Sequence, residues 1–180
     1  MIITLILVIP AAYSYARFSF PFKNLSLYVL LAVNMFSGAV LLIPLYKLLR
    51  TLSLLNSYQA MIIPGVAFCI PTSIWLLKTY FEKIPIELEE AAFVDGASRI
   101  QILRNIIAPL SAPGLVVVGI YAFIQAYAQQ FLFAITFNSK KEFMPIPAGL
   151  YKFIGYQSVK WNEMMAASLL GILPVLLVFV

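Results

Sequence analysis

Residues 82–109 read EKIPIELEEAAFVDGASRIQILRNIIAP, and five of the chain's seven acidic residues lie within them, together with Lys83, Arg99 and Arg104. Apolar runs long enough to span a bilayer flank the stretch, so it reads as a loop in water carrying helices of its own. Pro85 presets the backbone for an opening helical turn. Glu87, Glu89 and Glu90 follow where acidic groups complement a helix N-terminus. Leu88, Ala91 and Ala92 then give a small, smooth surface that another protein can approach closely. Asp95-Gly96 breaks the helix, with Gly96 suited to the left-handed conformation at a helix C-terminus. Ser98 or Asp95 caps a second helix, in which Ile102, Leu103 and Ile106 form an apolar stripe that Pro109 ends. A helix–turn–helix bracket on one membrane face is expected, with a plain amphipathic surface loop as the alternative that pattern alone leaves open.

Composition sets the class of the remainder. Over 180 residues, 63% are hydrophobic and 11% charged, and the mean hydropathy is +0.97. A soluble domain carries charge on about a quarter of its residues. The chain is therefore expected to be an all-α, polytopic membrane protein. The net charge of +5 is spread over both sets of loops and gives no clustered basic face, so no nucleic-acid partner is expected. Histidine is absent, which removes His-based triads, His metal sites and the usual proton shuttle near neutral pH. Cys69 stands alone in an apolar run and reads as a small buried hydrophobe. No metal site and no catalytic constellation is indicated.

Five spanning segments are expected. The first precedes Arg17 and is short. Arg17 and Lys23, with Pro21 between them, mark a turn at one face. The second, residues 25–49, is long and apolar and contains Asn34, Ser37, Gly38 and Pro44; Lys47 and Arg50 end it at the opposite face. The third, residues 60–80, carries Pro64 and Pro71, which are expected to kink it, and Lys78 near its end can snorkel to the interface. The fourth covers residues 112–137, and the fifth, residues 164–180, is apolar to the last residue. Between these two, a partly amphipathic piece at 148–156 is expected along the interface. Counting basic residues by face gives six on each, so the positive-inside rule does not orient the set.

Polar residues inside spans face a bundle interior or a water-filled cavity. Tyr121, Gln125 and Gln129 recur at one-turn spacing on the fourth segment and offer the amides and aromatic face that a polar solute path needs. Asn34 is a further candidate. The competing reading makes these residues hydrogen-bonded glue between helices.

The string Glu90-Ala91-Ala92, three residues, Gly96, nine residues, Ile106, one residue, Ala108-Pro109 resembles the EAA signature of ABC-transporter permeases of binding-protein-dependent importers. Ala108 departs from the family's leucine. The longer form EEAAFVDGAS is similar to the second permease subunit of carbohydrate importers of the maltose-transporter type. LLIPLYKLL, IIAPLSAPGL, PAGLYKFIG and WNEMMAASLLGILPV extend the likeness along most of the chain. AYAQQFLFA departs from it, because those permeases commonly carry an aromatic-Asn-Glu-Phe sequence there. The resemblance implies one permease domain over 1–180, missing the family's first helix and C-terminal tail, in a bacterial or archaeal inner membrane. Residues 82–109 would be its cytoplasmic coupling loop.

In that family Glu90, Ala91, Ala92, Asp95, Gly96, Ala97, Ile106 and Pro109 would form the surface that docks on an ATP-binding cassette ATPase subunit. The other implied partners are a second permease subunit in a heterodimer, an extracytoplasmic solute-binding protein and a small polar solute, a sugar in first place. The sequence contains no GxxxxGK[ST] pattern. ATP and Mg would accordingly belong to the partner, and this chain would be a non-catalytic transport subunit with no cofactor of its own. Two alternatives stand beside this expectation: a membrane scaffold whose loop binds a soluble partner without transport, and an importer permease for a polyamine or phosphate. Few charges lie in the spans, which disfavours a strongly charged solute.

Overall fold

The computed structural model describes residues 1–36, 38–140, 142, 144–153 and 160–179, without the side chains of 128–130, 151, 152 and 179. Among the described residues there is helix and no strand. The backbone divides into two compact units, one built from Met1–Met35 and Phe68–Ala122, the other from Phe36–Ala67 and Phe123–Val180.

The first unit starts with α1, Ile2–Arg17, which keeps Pro10 inside it. Its C-terminal cation, Arg17, complements the helix dipole. Helix α2, Lys23–Ala32, runs into a 3₁₀ turn at Val33–Met35. The continuous second segment expected over 25–49 is thus interrupted before α3 begins at Gly38. The break falls at the Asn34 region and not at Pro44, which α3 accommodates. Asn34 is a weak helix former whose side chain competes for hydrogen bonds. Here its amide donates to Thr72 Oγ1 at 2.9 Å.

Helix α4, Gln59–Glu82, contributes its later residues to this unit and stays helical through Pro64 and Pro71. Lys78, expected to snorkel, pairs with Glu82 one turn on, at 2.7 Å. The core is made by Val8, Ala12 and Tyr13 of α1, Leu27 of α2, and Ile74, Leu77 and Phe81 of α4, with Ile84 beyond it. Val118 of α8, Ala112–Ile124, completes the packing from the far side of the polar stretch. Helix α8 crosses α4 closely at Gly114, where an added Cβ would stand 2.5 Å from Tyr80 Cγ.

In the second unit α3, Gly38–Thr51, meets α9, Gln130–Phe137. The turn before α4 is tied down by Asn56, whose N–H donates to the Phe137 carbonyl at 3.1 Å while its Oδ1 accepts from the Ser139 N–H at 2.7 Å. Helix α10 is the single turn Ile146–Gly149, followed by a 3₁₀ turn, Leu150–Phe153. Residues 154–156 of the expected interfacial piece lie outside the described residues. Helix α11, Trp161–Phe179, closes the chain, and the Gly171 carbonyl accepts a hydrogen bond from the Tyr127 hydroxyl.

Two helices, Gln59–Glu82 and Trp161–Val178, are each long and apolar enough to cross a membrane. Two bent pairs raise the candidate spans to four, and Ile2–Arg17 is a shorter apolar helix. Leu169, Leu170 and Leu177 of α11 are each more than two thirds exposed. In lipid such a surface carries no hydrophobic penalty.

Candidate functional site

The polar stretch folds as the expected bracket. Its first arm is α5, Glu87–Val94, opened by Glu87, Glu89 and Glu90 in the first turn without a side-chain cap. The acidic groups stabilise that end through the helix dipole. Helix α5 ends where Gly96 adopts φ +83°. The Gly96 N–H donates to the Phe93 carbonyl at 3.0 Å and the Ala97 N–H to the Ala92 carbonyl at 2.9 Å. This pair of bonds is the Schellman arrangement, and its usual apolar contact is supplied by Ala92 and Ala97, which both join the core.

Of the two capping residues expected, Ser98 is the one used. It forms a full capping box: its Oγ accepts from the Gln101 N–H at 3.4 Å, and Gln101 Oε1 accepts from the Ser98 N–H at 2.7 Å. The second arm begins as α6, Arg99–Ile102, and then widens into a π-helical turn, Leu103–Ile107, before the short α7, Ala108–Leu110. The regular helix expected up to Pro109 is therefore altered. In the π turn the Ala108 N–H reaches back five residues to the Leu103 carbonyl. Pro109 has no N–H to give and would crowd the carbonyl four residues back in a regular helix, so widening just before it relieves that clash. Pro109 does not itself end the arm. The chain turns by 83° between Arg99–Leu110 and Ala112–Tyr127, at Ser111, whose hydroxyl donates to the Ile107 carbonyl at 2.6 Å.

The docking residues expected from sequence fall on two sides of the bracket. Ala92 is buried, and Ala97 and Ile106 pack partly buried against the same core, alongside buried Ile102 and Ile107. Glu90, Ala91, Asp95, Gly96 and Pro109 are exposed. Leu88, read as part of the approachable surface, is exposed, and Ile86, Val94 and Ile100, not singled out for docking, add apolar surface to the outer side, Val94 at 89% and Ile100 at 78%. The outer side is thus a small, mostly apolar face bearing carboxylates, on a backbone fixed from beneath. Such a face suits a protein partner that presents a shallow cleft with a basic group.

Beneath it lies an arrangement that periodicity did not reveal. Glu89, read only as a dipole-complementing acid, is 4% exposed. Its Oε2 accepts from the Tyr13 hydroxyl at 2.7 Å, and its Oε1 pairs with Arg17 Nε. Arg17, read as an interfacial cation, is instead largely buried, and its Nη2 donates to the Ile84 carbonyl at 2.7 Å. Arg99 lies 4.7 Å from the Phe18 ring centre and 5.1 Å from that of Phe93, a cation between two aromatic faces. Spacing gave no sign of this: Glu89 is three residues before Ala92 and shares its face, and the sequence assigned Ala92 to the docking surface.

The path residues are placed differently. Tyr121 and Gln125 are half-buried, and Gln125 opens a second π-helical turn, Gln125–Gln129. Gln129's side chain lies outside the described residues. Asn34 holds Thr72, as glue between helices would.

The family described as binding-protein-dependent transport system inner membrane component matches residues 6–180. The chain is 37% identical over 178 residues to the sulfoquinovosyl glycerol transport system permease protein SmoH of Agrobacterium fabrum, covering 99% of this chain and 62% of that protein. It is 38% identical over 168 residues to the trehalose/maltose transport system permease protein MalG of Thermococcus litoralis, covering 93% and 60%. It is also 38% identical to the inner membrane ABC transporter permease protein YcjP of Escherichia coli, covering 99% and 63%. The chain thus spans about three fifths of the length of these curated relatives. A similar fold occurs in a chain of a bacterial ABC transporter involved in the import of the acidic polysaccharide alginate, with a TM-score of 0.75, 24% identity, and coverage of 99% of this chain and 67% of that one.

Proposed function

The chain belongs to the family of binding-protein-dependent transport system inner membrane components, and from that premise we propose that it is the permease part of an ATP-driven importer for a sugar or a related small polar solute. The observation that carries the proposal is the bracket. Its outer face presents Glu90, Ala91 and Asp95, while its inner face is held in the core by Ala92, Ile102 and Ile107. A surface fixed in this way passes a push on to the helices beneath it and does not absorb the push by local motion.

In this reading an ATP-binding cassette subunit docks on the bracket and supplies ATP–Mg and its hydrolysis. A second permease subunit completes the path, and a solute-binding protein delivers the solute from the opposite side. The chain itself carries no cofactor and makes no contact with nucleic acid. The sugar assignment is supported by relatives named for trehalose/maltose and for sulfoquinovosyl glycerol. Tyr121, Gln125 and Gln129 are the residues proposed for the path.

The test is co-purification of the full-length gene product from its membrane. ATP hydrolysis is then measured with binding protein loaded with trehalose, maltose or sulfoquinovosyl glycerol. A bound ATPase subunit, stimulated by one loaded binding protein, is the expected result. Gly96→Pro and Glu90→Lys should each abolish uptake while leaving the protein inserted. Normal uptake in both variants, or a stable protein with no ATPase partner, would leave the scaffold reading standing instead.

A further inference from the structure

Helix α1 is not adjacent to the bracket along the chain, α2, α3 and α4 lying between them. Helix α4 runs into α5 through residues 83–86, and α7 turns directly into α8 at Ser111, so both flanking helices are pulled by the chain itself. Any movement of α1 with the bracket has to pass through side chains. Those side chains converge on one turn. Tyr13 and Arg17 hold Glu89 of α5, Arg17 also holds the Ile84 carbonyl in the α4–α5 connection, and Phe18, just past α1, lies against Arg99 of α6. The last turn of α1 therefore grips the connection and both arms. The grip is charged at its centre, and Val8, Ala12, Phe81 and Ala92 pack around it in the same apolar core.

Resting on the transport reading above, we infer that the Tyr13–Arg17–Glu89 cluster is a force-transmitting joint that makes α1 move with the bracket as one body. These are positioning residues: they touch neither solute nor ATPase. A buried carboxylate paired with a guanidinium resists shear because any slip separates two charges that have no water to replace each other. Packing alone would let the helices slide. The joint also divides the labour between neighbouring acids, Glu90 facing outward to the partner and Glu89 inward to α1.

The experiment uses the full-length permease with Cys69 replaced by alanine and spin labels at Ile6→Cys on α1 and Asn105→Cys in the second arm of the bracket, both exposed and neither among the docking residues. The distance between labels is read by pulsed electron resonance, first in the permease alone and then in complex with its ATPase subunit, with and without ATP and vanadate. The joint predicts one narrow distance that ATP does not change. Glu89→Gln should broaden it and make it ATP-dependent. It should also lower solute uptake per ATP hydrolysed by about ten-fold, with the swap Arg17→Glu/Glu89→Arg recovering most of the loss. Tyr13→Phe, which deletes one hydroxyl and keeps the packing, guards against a variant that fails to fold and should give a smaller change in the same direction.

A wild-type distance that shifts with ATP, or a Glu89→Gln distribution as narrow as wild type, overturns the joint. Equal loss of hydrolysis and uptake, unrescued by the swap, also overturns it, because that marks a purely structural pair. If no ATPase subunit binds, the transport reading fails. The distances in the permease alone then still decide whether Glu89 ties α1 to the bracket.

Discussion

At the scale of single residues, two glycines are required for opposite reasons. Gly96 sits at φ +83° with no atom within 4 Å of the place a Cβ would take. Space is free there, and only the backbone conformation resists a side chain. Gly96→Ala should cost about 1 kcal/mol, the penalty for an L-residue in the left-handed region, read as a small fall in the thermal unfolding midpoint of the detergent-solubilised protein. Gly114 has an ordinary backbone, but its missing Cβ leaves room for Tyr80, with Cγ, Cδ2 and Cβ all within 3 Å of that point. Gly114→Ala forces α8 away from α4 or the ring out of place and should cost about 1–3 kcal/mol. The larger drop in midpoint is expected for Gly114. Equal drops would mean that the close approach of the two helices is not rigid. The turn at Gly96 was legible in the sequence because Asp95-Gly96 followed by a candidate cap at Ser98 is a local code. Gly114 was not, since nothing in its own neighbourhood announces Tyr80.

At the scale of elements, the bracket is stable because each arm buries side chains in the core, Ala92 from the first and Ile102 and Ile107 from the second, and not because its helices are long. Helix α5 has eight residues and α6 four, too few to persist alone in water. Ile102 is fully buried where α6 meets the core, and Ile102→Ala should cost about 2–5 kcal/mol through lost burial and the cavity left behind. Limited proteolysis at the 95–98 turn should then speed up well before the rest of the chain becomes sensitive. Unchanged cleavage would show that the arms are held without this contact. On the fourth segment, Gln125→Leu removes a half-buried amide at the start of a π turn. Uptake should fall if that amide meets the solute, and uptake equal to wild type would assign it to helix packing. Both π turns replaced regular helix expected from sequence. Periodicity reports where apolar residues recur, and a one-residue widening is decided by which carbonyls find donors.

At the scale of the whole molecule, the bracket and the core residues that pack on it fall in one compact unit, Met1–Met35 with Phe68–Ala122. The polar stretch and Lys140 are separated along the chain by one apolar run, residues 112–137, and are expected to face opposite sides of the membrane. With Cys69 replaced, a membrane-impermeant maleimide should label Lys140→Cys in intact cells and label Glu90→Cys only after permeabilisation. Labelling of both from outside would refute the arrangement. Charge counting could not orient the chain, because basic residues divide equally between the faces. The orientation proposed here rests on reading the outer face of the bracket as the docking surface.

The all-helical membrane class, the position of the bracket and its turn follow from the amino-acid sequence, which also narrowed the cap to Ser98 or Asp95. Each of these rests on composition or on residues within a few positions of one another, where sterics and local hydrogen bonding act without help from the rest of the chain. Tertiary structure alone decided what holds the bracket. Tyr13 and Arg17 lie 76 and 72 residues from Glu89, and the two rings around Arg99 come from the end of α1 and from α5. Such pairs carry no periodic mark. They exist because folding brings a buried carboxylate to groups that compensate its lost hydration, and that choice is made in three dimensions.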